Sequence, residues 1–126
     1  VRELFHDREQ NRELTTYMML SEQSPNNMNK SYKTLFLNQP SGMIYGAEYF
    51  ARKHDIPVVY YEVIKERIGH YKIVNQIITE KPTELENGGI IKQYTRLLEE
   101  TIRRQPEFWL WSHRRWKHKV NLEDCK

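Results

Sequence analysis

The segment GIIKQYTRLLEETIRRQ, Gly89 to Gln105, constrains the fold more than any other stretch of this 126-residue chain. Ile91, Tyr94, Leu98 and Ile102 recur at i, i+3, i+7 and i+11, which places them on one face of an α-helix. Glu99 and Glu100 stand one turn before Arg103 and Arg104, so side-chain ion pairs support the same helix. Pro106 ends or kinks it, because a proline disfavours helical geometry at the residue before it.

Upstream of this helix, IPVVYYEVI and HYKIVNQII flank KERIG with Gly69 at the turn, and Tyr71, Ile73 and Ile77 fall on one face. That pattern predicts a β-hairpin. PSGMIYGAEYFARKHD predicts an amphipathic helix with Ser41 as N-cap, Ile44, Ala47, Phe50 and Ala51 inward, and Lys53 and His54 in the last turn. TTYMML, Thr15 to Leu20, predicts a buried strand, and Arg2 to Glu13 a short surface helix. SEQSPNNMNKSYK, rich in Ser, Pro and Asn, predicts a loop. Helix, strand, helix, strand, strand, helix without an internal repeat is an α/β or α+β pattern, and the length limits residues 1–126 to one folding unit.

The net charge of +3 says little, but its distribution says more: Arg103 to Lys119 carries six Lys or Arg against the single acid Glu107. Such a local field attracts phosphates or anionic head groups. A single cysteine, Cys125, excludes an internal disulfide framework and a cysteine-built metal site. No apolar run has the roughly 18 residues of a membrane-spanning helix. The chain opens on Val1 and runs straight into charged residues, as a piece of a longer protein would.

All three tryptophans fall in PEFWLWSHRRWKHK, Pro106 to Lys119. If this block continues as a helix, Phe108, Trp109, Trp111 and Trp116 occupy an arc of about 160°, with Arg114 and Lys117 on the other side. Three readings stay open: tryptophans in the core with a solvated cationic face, a lipid or phosphate interface, and a nucleic-acid patch on which bases stack. The third is weakened by a basic charge confined to one stretch and by the lack of any nucleic-acid module's signature.

Catalytic spacing is sparse. His118 and Glu123 are five positions apart, as a base and its orienting acid could be, but they lie in a polar tail without apolar walls. Gly88 and Gly89 open a helix without the Lys-Ser or Lys-Thr pair of a phosphate loop. No cofactor or metal is implied. Ser21, Glu22 and Gln23 follow the first expected strand, where polar residues either line a site or satisfy local backbone.

In order, MMLSEQSP, LFLNQPSGMIYGAEYFARKHDIPVVYY, GHYKI and LEETIRRQPEFWLWSHRRWK closely resemble the C-terminal part of the bacterial lipid A biosynthesis acyltransferases, the lauroyl and myristoyl acyltransferase family. The likeness covers about Tyr17 to Lys117, and the closing Pro-Glu-x-aromatic-x-Trp-x-His-Arg-Arg-aromatic-Lys block is its most specific part. It implies an α/β fold, the C-terminal half of an acyltransferase domain, with a mixed sheet, a hairpin and flanking helices. It also implies transfer of a fatty acyl group from acyl carrier protein, or another thioester donor, to a hydroxyl of a lipid A precursor. The place would be the cytoplasmic face of the bacterial inner membrane.

In that family the general base is an upstream His followed four residues later by an acid; no plausible copy of that pair is in this chain, so no catalytic residue is assigned and the chain alone is expected to be inactive. Arg114, Arg115, Lys117 and His113 are expected to contact lipid or acceptor phosphates, Glu22 and Gln23 to shape the cleft, and Trp109, Trp111 and Trp116 to pack the block against the fold or to meet the membrane interface. Departures from the family pattern are Glu22 where Asp is usual, Asn38 where Gly is common, and Phe108 in place of Gln. A non-catalytic lipid-binding or assembly module that associates with itself is the alternative.

Overall fold

The structure, a computed structural model, describes residues 15–126. The helix expected over Arg2 to Glu13 lies outside the described residues. Strands β1 (Ser31–Phe36) and β2 (Gln39–Ile44) form an antiparallel ribbon, in register from Ser31 opposite Ile44 to Phe36 opposite Gln39. Leu37 and Asn38 make the turn with φ of 50° and 61°. A tight two-residue hairpin turn of this kind needs the left-handed region at both positions. Asn tolerates it, and Leu37 is held there by Glu99, whose Oε1 accepts the Leu37 N–H at 2.7 Å.

This ribbon occupies the end of the expected loop and the start of the expected helix. Ser41 is therefore not an N-cap; it lies buried in β2, and helix α1 (Gly46–His54) follows. Strands β3 (Val58–Arg67) and β4 (His70–Thr79) form the hairpin the sequence predicts, with Gly69 at φ 74° in its turn. Tyr71, Ile73 and Ile77 do share a face, but each is more than half exposed.

Helix α2 (Gly89–Arg104) lies between the two ribbons and explains why its apolar arc is wide. Ile91, Leu98 and Ile102 pack with Tyr32, Phe36 and Met43 of the first ribbon. Ile90 and Leu97 pack with Tyr60 and Ile78 of the second and Ala51 of α1, and Tyr94 touches both clusters. Glu48 of α1 is fully buried and accepts the Gly88 N–H at 2.6 Å and the Ile91 N–H at 3.1 Å. Its carboxylate thus satisfies orphan amides where the helix dipole is positive. Gly88 suits this corner because its φ of 90° and the Tyr32 ring, 2.2 Å from where a Cβ would sit, exclude a side chain.

The class is α/β; among the described residues the strands lie in two separate antiparallel ribbons, where one mixed sheet was expected. Thr15 to Leu20 is irregular, without a ladder among the described residues. Its strand-forming side chains instead lie over neighbouring elements: Tyr17 stacks edge-on against Phe50 at 5.0 Å, and Met18 Sδ accepts the Tyr61 hydroxyl at 3.2 Å. β-propensity alone does not make a strand where no partner edge is offered.

After α2 a 3₁₀ turn (Pro106–Phe108) gives way to consecutive tight turns, a second 3₁₀ turn follows at Leu122–Asp124, and Trp111 Nε1 donates to the Pro106 carbonyl at 2.7 Å. The second helix expected there, with its aromatic arc, does not form. No helix among the described residues is long and apolar enough to cross a membrane.

Candidate substrate cleft

A cavity of about 650 Å³ opens between the irregular Thr15 to Glu22 segment on one side and α1, β3, β4 and α2 on the other. Its walls are mainly apolar, from residues such as Phe50, Ile78, Ile90 and Leu98, with Trp109 reaching it from the closing block. Few polar groups face it. Glu22 lines it and is half-buried, whereas Gln23 is exposed. Among the described residues, no group of three or more His, Cys, Asp or Glu could hold a metal ion.

The Glu22 loop and the closing block, far apart in sequence, are joined here. Ser24 donates its backbone N–H to His113 Nε2 at 3.3 Å. Glu22 and Arg115 both act on the Tyr94 phenol. Burial raises its pKa far above the ordinary tyrosine range, the Glu22 charge adds to that rise, and Arg115 opposes it. Tyr94 therefore stays protonated and neutral, a ring with a hydroxyl on a mainly apolar wall.

The closing block divides into an inner and an outer set. Arg115 is only 3% exposed: it donates to the Gly42 carbonyl at 2.8 Å and to Met43 Sδ at 2.7 Å, and its guanidinium carbon lies 5.2 Å from the Phe36 ring centre. Burial holds its pKa below the usual arginine value. It acts as a pin between the block and β2. Trp116 stacks on Phe36 at 6.1 Å and donates Nε1 to Ser41 Oγ at 2.8 Å, and Trp109 meets the same ring at 6.1 Å. Trp111, Arg114 and Lys117 are exposed. Of the four residues expected to contact phosphates, Arg115 is buried, His113 is half-buried and bonded to Ser24, and Arg114 and Lys117 are exposed; of the three tryptophans, Trp111 is exposed and Trp109 and Trp116 are half-buried.

Sequence reasoning missed Glu48 and the cavity-facing role of Tyr94. Both carried a signal. Glu48 is an acid three positions before Ala51, beside the apolar stripe of its helix, and Tyr94 is the one hydroxyl-bearing side chain among the stripe residues Ile91, Leu98 and Ile102.

The family model for bacterial lipid A biosynthesis acyltransferase matches residues 8–118, nearly the whole chain. No curated protein and no solved structure matches it.

Proposed function

Because this chain belongs to the bacterial lipid A biosynthesis acyltransferase family, we propose that it forms the C-terminal part of a domain that moves a fatty acyl group from acyl carrier protein, or another thioester donor, to a hydroxyl of a lipid A precursor. In that reaction the acceptor oxygen forms an ester with the acyl carbon and the thioester breaks. A base takes the hydroxyl proton and returns it to the departing sulfur, so the donor leaves as a thiol. The base and its acid are supplied from outside these 126 residues. The site of action is the cytoplasmic face of the inner membrane, with Arg114 and Lys117 meeting acidic head groups or acceptor phosphates and Trp111 beside them.

The observation that carries this reading is the 650 Å³ apolar cavity with Glu22 on its wall. It lies within the roughly 300–1,000 Å³ of ligand sites, and an apolar lining with few polar groups suits a hydrocarbon chain held near a polar reaction centre. Acyl transfer from acyl carrier protein to a lipid A precursor, measured for the chain alone and for the parent enzyme, tests it. Transfer by the parent and none by the chain alone is expected. Transfer by the chain alone would overturn the placing of the base, and no transfer by the parent would overturn the reaction.

A further inference from the structure

Two exposed apolar groups distant in sequence meet at Lys65. The first is the free end of the β3–β4 hairpin, beyond the cavity walls. Ile68 stands in its turn 91% exposed. Val63 and Ile73 pair across the ribbon, and Tyr71 pairs with Lys65 on the same face; Val63, Ile73 and Tyr71 are each more than half exposed. The second group is Phe108, Leu110 and Trp111 of the closing block, also more than half exposed. Lys65 joins them: its ammonium lies 5.3 Å from the centre of the Phe108 ring, and its carbonyl accepts Gln105 Nε2 at 3.2 Å. Cations stand on both faces of the hairpin end, Lys65 on the Tyr71 face and Lys72 opposite Ile64 on the other, with Arg67 2.6 Å from His70 Nε2, against the single acid Glu66.

We propose that the end of the β3–β4 hairpin is a membrane contact selective for anionic lipid, in which Ile68 and Tyr71 enter the boundary between head groups and acyl chains while Lys65, Arg67 and Lys72 meet lipid phosphates. An apolar tip flanked by cations is matched in charge by an anionic bilayer. A second copy of the same face fits less well, because a two-fold contact places like charges against each other. The proposal rests on the membrane reading of the closing block and adds to it an element that carries no tryptophan. It also explains the orientation of Tyr71 and Ile73, which the hairpin turns away from the core.

Flotation of the 126-residue chain with vesicles of phosphatidylglycerol and phosphatidylethanolamine, beside vesicles of phosphatidylcholine alone, tests the contact. Binding to the anionic vesicles alone is expected, weakening as salt is raised. Ile68→Asp should lower the bound fraction about tenfold or more, since burial of an isoleucine is lost, while leaving the unfolding midpoint unchanged because Ile68 touches no core. Equal binding by Ile68→Asp, or equal binding to both vesicle types, would overturn the proposal. Sedimentation velocity covers the second copy: a dimer abolished by Ile68→Asp would assign the face to self-association and overturn the proposal too. Arg114→Glu with Lys117→Glu separates the two surfaces. Weakened binding by that pair beside unchanged binding by Ile68→Asp leaves the block's role standing and removes the hairpin's.

Discussion

At the residue scale, the adjacent pair Arg114 and Arg115 shows that one residue type can hold two unrelated jobs. Arg114 is exposed to solvent, and Arg115 lies buried over the Phe36 ring with a backbone carbonyl and a thioether as its other neighbours. Reversing both charges at once would therefore confound phosphate binding with folding. Arg115→Glu should cost about 3–5 kcal/mol by placing a carboxylate against a carbonyl and the negative face of a ring, whereas Arg114→Glu should stay within about 0.5 kcal/mol. Urea unfolding of the two variants checks this, and equal midpoints would refute the pin. Glu48 offers a second test at this scale. Glu48→Ala strands the Gly88 and Ile91 amides away from water, at about 1–3 kcal/mol for each. Midpoint loss should come with amide exchange that rises first at the start of α2; a uniform rise would count against the capping role.

At the element scale, the turn between β1 and β2 depends on the left-handed conformation of Asn38. Asn38 adopts φ 61°, a conformation glycine reaches freely and Asn better than other side chains. Asn38→Gly should leave stability unchanged or slightly raised, and Asn38→Val should lower it by roughly 1–2 kcal/mol; a valine variant as stable as the parent would show that the turn is not held as described. This ribbon is also where sequence reading was weakest. Tyr32, Thr34 and Phe36 are buried at every second position, a strand period within SYKTLF. The Ser, Pro and Asn residues before it suggested a loop, and Ile44 to Ala47 matched helical spacing by coincidence. Where the signal was long, as in α2 and the β3–β4 hairpin, the elements were legible because periodicity, turn residue and terminating Pro106 agreed. The Thr15 to Leu20 segment and the closing block were not, since their form depends on partners: a ladder edge for the first, and backbone acceptors such as the Pro106 carbonyl for the second. For the candidate site, the residue types around Glu22 and His113 were legible, but their meeting through the Ser24–His113 bond was not.

At the scale of the whole molecule, α2 is the beam that both ribbons share, and Tyr94 is the side chain at which their two cores touch. Losing the fold should therefore expose Tyr94 and Tyr60 together. Burial raises the pKa of both phenols, and for Tyr60 the nearby Glu62 charge adds to the rise while the Thr101 hydrogen bond opposes it. The sign follows from linkage. With folded pKa values above the unfolded one, the stability these groups contribute is complete below about pH 10, the ordinary tyrosine value, and falls as pH rises beyond it, because only the unfolded chain releases their protons. Alkaline unfolding should thus be cooperative, with the absorbance of tyrosinate appearing in two stages: exposed tyrosines such as Tyr71 first, and the buried pair only as ellipticity is lost. Tyr94→Phe removes one of the two protons held by the fold and should move the alkaline midpoint upward while leaving stability at neutral pH little changed, since no hydrogen bond is made by that hydroxyl among the described contacts. An unmoved alkaline midpoint in Tyr94→Phe, or full tyrosinate absorbance before any loss of ellipticity, would contradict a shared core centred on Tyr94.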